Sequence, residues 1–242
     1  MAIDYSIVIP AYNEEFFLPK TLSHLKEAMA SISLNGEIIV TDNNSTDLTA
    51  EIARTAGATV VFESINQISR ARNAGAQKAK GRYLVFVDAD TIVPPSLLKI
   101  ALNNLESGKC CGGGATIDPE ESIPLLAKGV LGSWNFLSRV FSLAAGSFVY
   151  VRHDDFVTCG GFSEKVYASE EIWFSIALKR IARKKNRKFL IINHPKVVTS
   201  ARKLTWYSYS YQMLVLLVLC LFPFLTRFKW FCSYWYHRPR KG

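Results

Sequence analysis

The chain has 242 residues, 49% hydrophobic and 20% charged, enough for one domain with a full core plus an appendage. Its net charge of +9 is unevenly placed: residues 1–171 hold all twenty acids against fourteen bases, a balance of −6, whereas residues 172–242 hold fifteen Lys and Arg and no acid. That asymmetry asks for an anionic partner; no nucleic-acid-binding motif accompanies it but a long apolar segment does, which favours a membrane surface and excludes nucleic acid. The five cysteines form no C-x-x-C and pair with no His at metal spacing, as expected of reduced thiols in the cytosol.

The N-terminus, "MAIDYSIVIPAYNEE", carries acids early and only a short apolar run, unlike a signal peptide. "YSIVIP" (5–10) reads as a first strand, and a helix with Leu18, Leu22, Leu25 and Met29 on one face follows from about Glu15 to Ile32. "EIIVTD" (37–42) is the second strand, "STDLTAEIARTAG" (45–57) a capped helix closed by Gly, and "ATVVFE" (58–63) the third strand. "SRARNAGAQKAKG" (69–81) is a helix leading into "YLVFVDADT" (83–91), a strand apolar enough to be buried on both faces. This alternation predicts a mostly parallel sheet covered by helices on both faces. Ligands bind such sheets beyond the carboxyl ends of the strands. Here those ends are 10–14, 42–44 and 88–90, the most polar points of this half.

Asp88 and Asp90 pose a charge problem. If they keep strand geometry they share one side and repel, unless a positive group lies between them. A divalent cation on oxygen ligands would answer this, and so would a helix cap in a strand-to-helix turn. The D-x-D alone does not decide.

The second half is less regular. "CCGGGATID" (110–118) reads as a strand whose glycines allow close backbone approach, 123–145 as an apolar helix, "GSFVYVR" (146–152) as a strand, and "ASEEIWFSIALKRIARK" (168–184) as an amphipathic helix with acids at its start and bases at its end. A strand near 189–192 and a loop, "NHPKVVTSARK", lead to an uncharged run, "YQMLVLLVLCLFPFL" (211–225). Fifteen residues are short of a membrane span; extended back to Leu204 the run reaches twenty-two. Trp206, Tyr207, Trp230, Trp235 and Tyr236 flank it as interfacial aromatics do.

"SIVIPAYNEE", "VTDNNSTD", "SRARNAGAQKAKGRYLVFVDADT", "CGGFSE" and "ASEEIWFSIALKR", in this order, resemble the family-2 glycosyltransferases of GT-A fold over roughly residues 4–200. The resemblance implies a hexosyltransferase-like enzyme that moves a sugar from a nucleotide-sugar donor to an acceptor, with Mg²⁺ or Mn²⁺ as cofactor and inversion at the sugar. It assigns Asp90 as direct metal ligand, with Asp88 beside it or nearer the ribose. Pro10, Ala11, Tyr12, Glu14, Asp42 and Ala89 would bind the nucleoside. Arg70 and Arg72 would face the diphosphate, with His194 and Arg202 as further candidates. Glu171, in the Glu170–Glu171 pair, would be the catalytic base, with Glu where the family usually has Asp. Asn43 stands where the family often has Asp, so Asp42 carries the base contact.

The sequence thus predicts a GT-A catalytic domain over 1–203, with a nucleotide-binding half (1–110) and an acceptor half (111–203). A membrane-associating tail (204–242) is expected to follow. The acceptor would be lipid-linked or a glycolipid and the catalytic domain cytoplasmic. A nucleotidyltransferase is the rival enzyme class, but "PAYNEE" lacks the Gly and basic residues of a triphosphate loop. A non-catalytic sugar-nucleotide or lipid-binding module is the other alternative.

Overall fold

In the computed structural model, which describes residues 2–202 and 209–236, eight strands form one sheet in the order β3-β2-β1-β4-β7-β6-β8-β5. The first half is β1 (Tyr5–Ala11), α1 (Leu18–Ala30), β2 (Gly36–Asp42), α2 (Thr49–Thr55), β3 (Thr59–Phe62), α3 (Ile68–Lys78) and β4 (Tyr83–Val87). Its strands β1 to β4 pair in parallel. The second half is β5 (Thr91–Ile92), α4 (Pro95–Glu106), β6 (Cys110–Pro119), α5 (Leu125–Phe141), β7 (Phe148–Arg152), α6 (His153–Cys159), α7 (Glu170–Lys184) and β8 (Lys188–Thr199). Here direction changes. β7 runs antiparallel to β4 and β6, β8 is parallel to β6, and β5 is antiparallel to β8. The sheet is therefore mixed: four of its seven strand pairings are parallel and three are antiparallel, with β7 and β5 reversed; apolar patterning marks β7 as a strand, but only the return path through α5 sets its direction.

β4 explains why a sheet with two covered faces forms. Tyr83, Val85 and Val87 alternate with Leu84 and Phe86, and all five are buried. The first set packs with Leu18, Leu22, Leu25, Leu97 and Leu98 from α1 and α4. The second packs with Phe156, Phe162, Phe174 and Leu178 from α6, α7 and the loop between them, where ring centroids lie 4.5 to 5.9 Å apart. Side chains alternating across a strand thus build two apolar layers at once. β6 is glycine-rich for a steric reason: a Cβ on Gly113 would lie 1.8 Å from the carbonyl oxygen of Leu190.

Two expectations about elements change. The segment after Ile192 is not a loop: β8 continues to Thr199, skipping residues between the pairs Ala115↔Ile192 and Ile117↔Val197 through an irregularity in register. The second helix starts at Thr49 and not at Ser45. Ser45, Thr46 and Asp47 precede it and bond the loop after β1, through Asn13 N to Ser45 Oγ (3.0 Å), Thr46 N to Asn13 Oδ1 (2.8 Å) and Glu15 N to Asp47 Oδ2 (3.1 Å), while Asp47 Oδ1 accepts from Thr49 N (3.0 Å) at the helix start.

Beyond residue 208 come α8 (Tyr209–Leu221), two 3₁₀ turns (Pro223–Arg227 and Lys229–Cys232) and α9 (Ser233–Tyr236). Among the described residues no helix is long and apolar enough to cross a membrane. Leu204, Trp206 and Tyr207 of the expected tail, and the side chain of Trp235, lie outside the described residues. The 3₁₀ and α9 segment folds back on the domain. Tyr167 N donates to Thr226 O (2.6 Å), and Ile68 N donates to Tyr236 Oη (3.3 Å).

Candidate active site

The parallel strands deliver their C-terminal ends to one edge. Ala11 pairs with Asp42 in the β1–β2 register, so the "PAYNEE" and "TDNNST" turns start side by side. Pro10 and Tyr12 are partly exposed there; Ala11, Glu14 and Asp42 are buried. Asp42 Oδ1 accepts from the Ser45 backbone N (2.9 Å), which fixes the carboxylate at the turn. Asn43 shows why its position holds an amide. Its Nδ2 donates to Glu63 O (3.2 Å) and Ile65 O (2.6 Å), while its Oδ1 accepts from Gln67 N (2.9 Å). An ionised Asp has no donor for the two carbonyls.

β4 ends at Val87, and Asp88 to Asp90 form a turn closed by Thr91 N donating to Asp88 O (3.2 Å). Ala89 sits within it, buried, its carbonyl accepting from Thr21 Oγ1 (2.8 Å). The strand geometry therefore does not carry through, and each aspartate meets its own guanidinium. Arg72, on α3 and 2% exposed, places Nη2 2.9 Å from Asp88 Oδ1 and Nη1 2.6 Å from Glu170 Oε1. Its Nη2 also donates to Gly146 O (2.9 Å), and its Cζ lies 5.2 Å from the centre of the Phe162 ring. A Cβ on Gly146 would lie 2.9 Å from that Nη2, so a side chain there would press on the guanidinium. Burial alone would lower the Arg72 pKa; Asp88, Glu170 and Glu171 more than offset it and raise it further. Two buried polar atoms of this corner, Arg72 Nε and Ser147 Oγ, have no hydrogen-bond partner among the described residues.

The second guanidinium comes from the end of the described domain. Arg202 Nη2 stands 2.6 Å from Glu14 Oε1 and 2.9 Å from Asp90 Oδ2. Its Cζ lies 4.1 Å from the Phe17 ring centre, and Ser200 N donating to Asp90 O (3.2 Å) ties the same stretch to the D-x-D turn. Burial would lower the Arg202 pKa; the bond to Glu14 and the charge of Asp90 raise it.

Glu170 and Glu171 open α7, preceded by Ser169 in the left-handed region (φ 60°). The pair divides its work. Glu170 is engaged with Arg72. The Glu171 carboxyl is pushed up to about 8, first by burial and then by the neighbouring Glu170 charge, against the pull of Arg72. A carboxyl raised this far is mostly protonated at neutral pH, and its ionised form is a correspondingly stronger base.

Two expected residues are not brought here. Arg70 pairs with Glu63 (3.5 Å) and Glu164 (2.8 Å), because residues two apart on a helix face different sides. His194 is exposed in the irregular part of β8, five residues before Thr199, and no contact joins it to Asp88 or Asp90 among the described residues. Sequence reasoning missed the bonds that Arg72 makes to Glu170 and that Arg202 makes to Asp90. It also missed Gly146 and Phe162 as the cradle of Arg72; the only hint was a glycine beside a buried strand.

Among the described residues no cluster of three or more His, Cys, Asp or Glu could hold a metal by itself. The hard-oxygen pair Asp88 and Asp90 could serve as partial ligands, as Mg²⁺ and Mn²⁺ accept when substrate phosphates and water complete the shell.

Glycosyl transferase family 2 matches residues 6–168. The uncharacterized glycosyltransferase YkcC of Bacillus subtilis (strain 168) is 34% identical over 114 residues, 44% of this chain and 35% of that protein. An undecaprenyl-phosphate 4-deoxy-4-formamido-L-arabinose transferase of Aeromonas hydrophila is 37% identical over 98 residues, 37% of this chain and 30% of that protein. The matched stretches thus span about a third of the length of these relatives. In fold, the chain is similar to the mannosyltransferase PcManGT from Pyrobaculum calidifontis, solved with GDP-Man and Mn²⁺, with TM-score 0.63 and 19% identity over 89% of this chain and 60% of that one.

Proposed function

Because the chain belongs to glycosyl transferase family 2 and is a glycosyltransferase of GT-A-like α/β fold, we propose that it transfers a sugar from a nucleoside-diphosphate donor to a lipid-linked acceptor at an anionic membrane face. The observation that carries this reading is Arg72. One guanidinium, 2.9 Å from Asp88 and 2.6 Å from Glu170, ties the first aspartate of the D-x-D to the first acid of α7. The name of the Aeromonas relative, an undecaprenyl-phosphate transferase, supports a lipid phosphate as acceptor.

In this reading Asp42 accepts from the nucleobase, and Pro10, Ala11, Tyr12 and the Ala89 backbone line the nucleoside. Asp90, with Asp88, holds a divalent cation. The oxygen donor set fits Mg²⁺ or Mn²⁺, and PcManGT was solved with Mn²⁺. When bound, the cation supplies positive charge to the diphosphate as it leaves. Arg202 occupies Asp90 in this structure, so it yields that carboxylate and turns to the diphosphate. Arg72 keeps Asp88 and Glu170 from repelling each other and orients the α7 start. Glu171 takes the proton of an acceptor hydroxyl as that oxygen bonds to the anomeric carbon on the face opposite the departing nucleoside diphosphate, whose bond to the sugar breaks, so that the sugar inverts. A lipid phosphate is already anionic, and toward it Glu171 orients without accepting a proton. Residues 1–110 serve the donor and 111–203 the acceptor. The basic, apolar tail from 204 onward attaches the cytoplasmic catalytic domain to the membrane.

The test is transfer from radiolabelled UDP- and GDP-sugars to undecaprenyl phosphate in mixed micelles with Mn²⁺. Labelled lipid that vanishes with EDTA and with Asp90→Ala supports the reading. Donor turnover that lipid leaves unchanged, or that is equal in EDTA, refutes the lipid acceptor or the cation respectively.

A further inference from the structure

α5 is built the wrong way round for a helix in water. Of its seventeen residues only Ala127 and Ser138 are buried. Leu125 (85%), Leu126 (64%), Phe136, Leu137, Val140 and Phe141 are exposed. At 3.6 residues per turn these six fall within an arc of about 160°, and Ala127 and Ser138 lie on the other side. The solvent face is therefore the apolar one, although a helix on a globular domain normally turns that face inward. Packing defects do not explain it. α5 is held in place by Asn135, which accepts from Ile117 N (2.9 Å) and donates to Ile117 O (2.8 Å), and by Lys179 Nζ donating to Phe141 O (2.6 Å).

Charge selects what covers this face. The charges on α5 are Lys128 and Arg139, both exposed, and it carries no acid. Lys179 links its C-terminal end to α7, which adds exposed Arg180, Arg183 and Trp173. The acids just before α5 are engaged elsewhere. Asp118 pairs with Lys196 (3.2 Å), Glu120 with Lys20, and Glu121 accepts from Ser200 Oγ (3.2 Å) and Ala201 N (2.7 Å). An apolar stripe edged by bases alone matches the interface of an anionic bilayer. A second copy meeting it about a two-fold axis would set like charges against each other.

We infer that α5 is a second membrane-docking element, laid flat in the headgroup layer of an anionic leaflet through Leu126, Phe136, Leu137, Val140 and Phe141. This rests on the membrane reading above and goes beyond its C-terminal tail. Docking here bears directly on the site. The connection from α5 to β7 carries Ala144, whose N donates to Ser175 Oγ (3.0 Å), and Gly146, whose carbonyl accepts from Arg72. Ser175 Oγ in turn donates to Glu171 O (2.7 Å). A docked α5 thus holds the acceptor side of the site at the bilayer, where a lipid head group is presented.

The experiment is flotation of the full chain with phosphatidylglycerol-containing vesicles in high salt, beside Phe136→Glu/Val140→Glu and the tail variant Phe228→Glu/Trp230→Glu. All four positions are exposed, and an unchanged thermal midpoint confirms folding. The α5 variant is expected to lose vesicle partitioning by about tenfold or more. If it floats as the parent does, the α5 inference is overturned and the membrane reading stands on the tail. If the parent itself fails to float, both fall. Sedimentation without vesicles decides the rival occupant: a parent dimer that the α5 variant converts to monomer overturns the inference in favour of a second copy.

Discussion

Replacing Arg72 by Met removes a guanidinium that is 2% exposed and that serves Asp88, Glu170 and Gly146 O at 2.6 to 2.9 Å. Glu170 is 4% exposed and is left as an uncompensated buried carboxylate. Losing one partner of a buried pair costs about 3–5 kcal/mol. Asp88, with its side chain 28% exposed, regains water and adds little. For a domain of this size that loss corresponds to a fall in Tm of roughly 6–20 °C. Arg72→Lys keeps the charge but not the fork, so it recovers only part of the loss. The decisive variant is Arg72→Met/Glu170→Gln, which removes the orphaned charge as well. Urea unfolding of the four members of this cycle measures the coupling. The double variant is expected to be at least about 1–2 kcal/mol more stable than Arg72→Met, and to remain nearly inactive. If it is no more stable than Arg72→Met, the guanidinium is not what compensates Glu170, and the description of the site as one charge network fails.

Glu171 carries a pH signature. Its carboxyl is raised from 4.5 to about 8, so between those values the native chain holds a proton that the unfolded chain has released. The stability this group contributes is present below about pH 4.5 and is lost as pH rises through about 8. Toward a hydroxyl acceptor, kcat/KM should climb through the same range. Glu171→Gln should flatten the stability slope in urea melts and lower turnover by roughly two to four orders of magnitude, and a slope unchanged by the substitution would exclude Glu171 as its source. Arg202→Ala should lower the thermal midpoint without metal, since Glu14 and Asp90 lose their shared partner. Mn²⁺ should then raise that midpoint further than it does in the parent; an equal shift would show that Arg202 and the cation do not share Asp90. Asn43→Asp should cost about 1–3 kcal/mol by leaving Glu63 O and Ile65 O without their donor, and a neutral result in urea unfolding would refute the structural role of the amide.

Local chemistry made one half of this protein legible. Apolar runs and helical periodicity gave β1 to β4 and their helices, because those signals act within a few residues of chain. The carboxyl edge followed, since parallel strands must present their ends together, and it holds Asp42, Asp88 and Asp90; Glu171 is singled out only by the family resemblance. Arg70 and Arg72 are both candidates in the sequence, and α3 turns the first to Glu164 and buries the second between Asp88 and Glu170. Arg202 reaches Asp90 across more than a hundred residues because β8 runs on to Thr199 beside β5 and brings the chain back. The direction of β7 and the exposure of the apolar face of α5 had no local signal. Sequence patterning states which residues avoid water; it is the assembled sheet that settles which of them find cover, and which charges must share a partner.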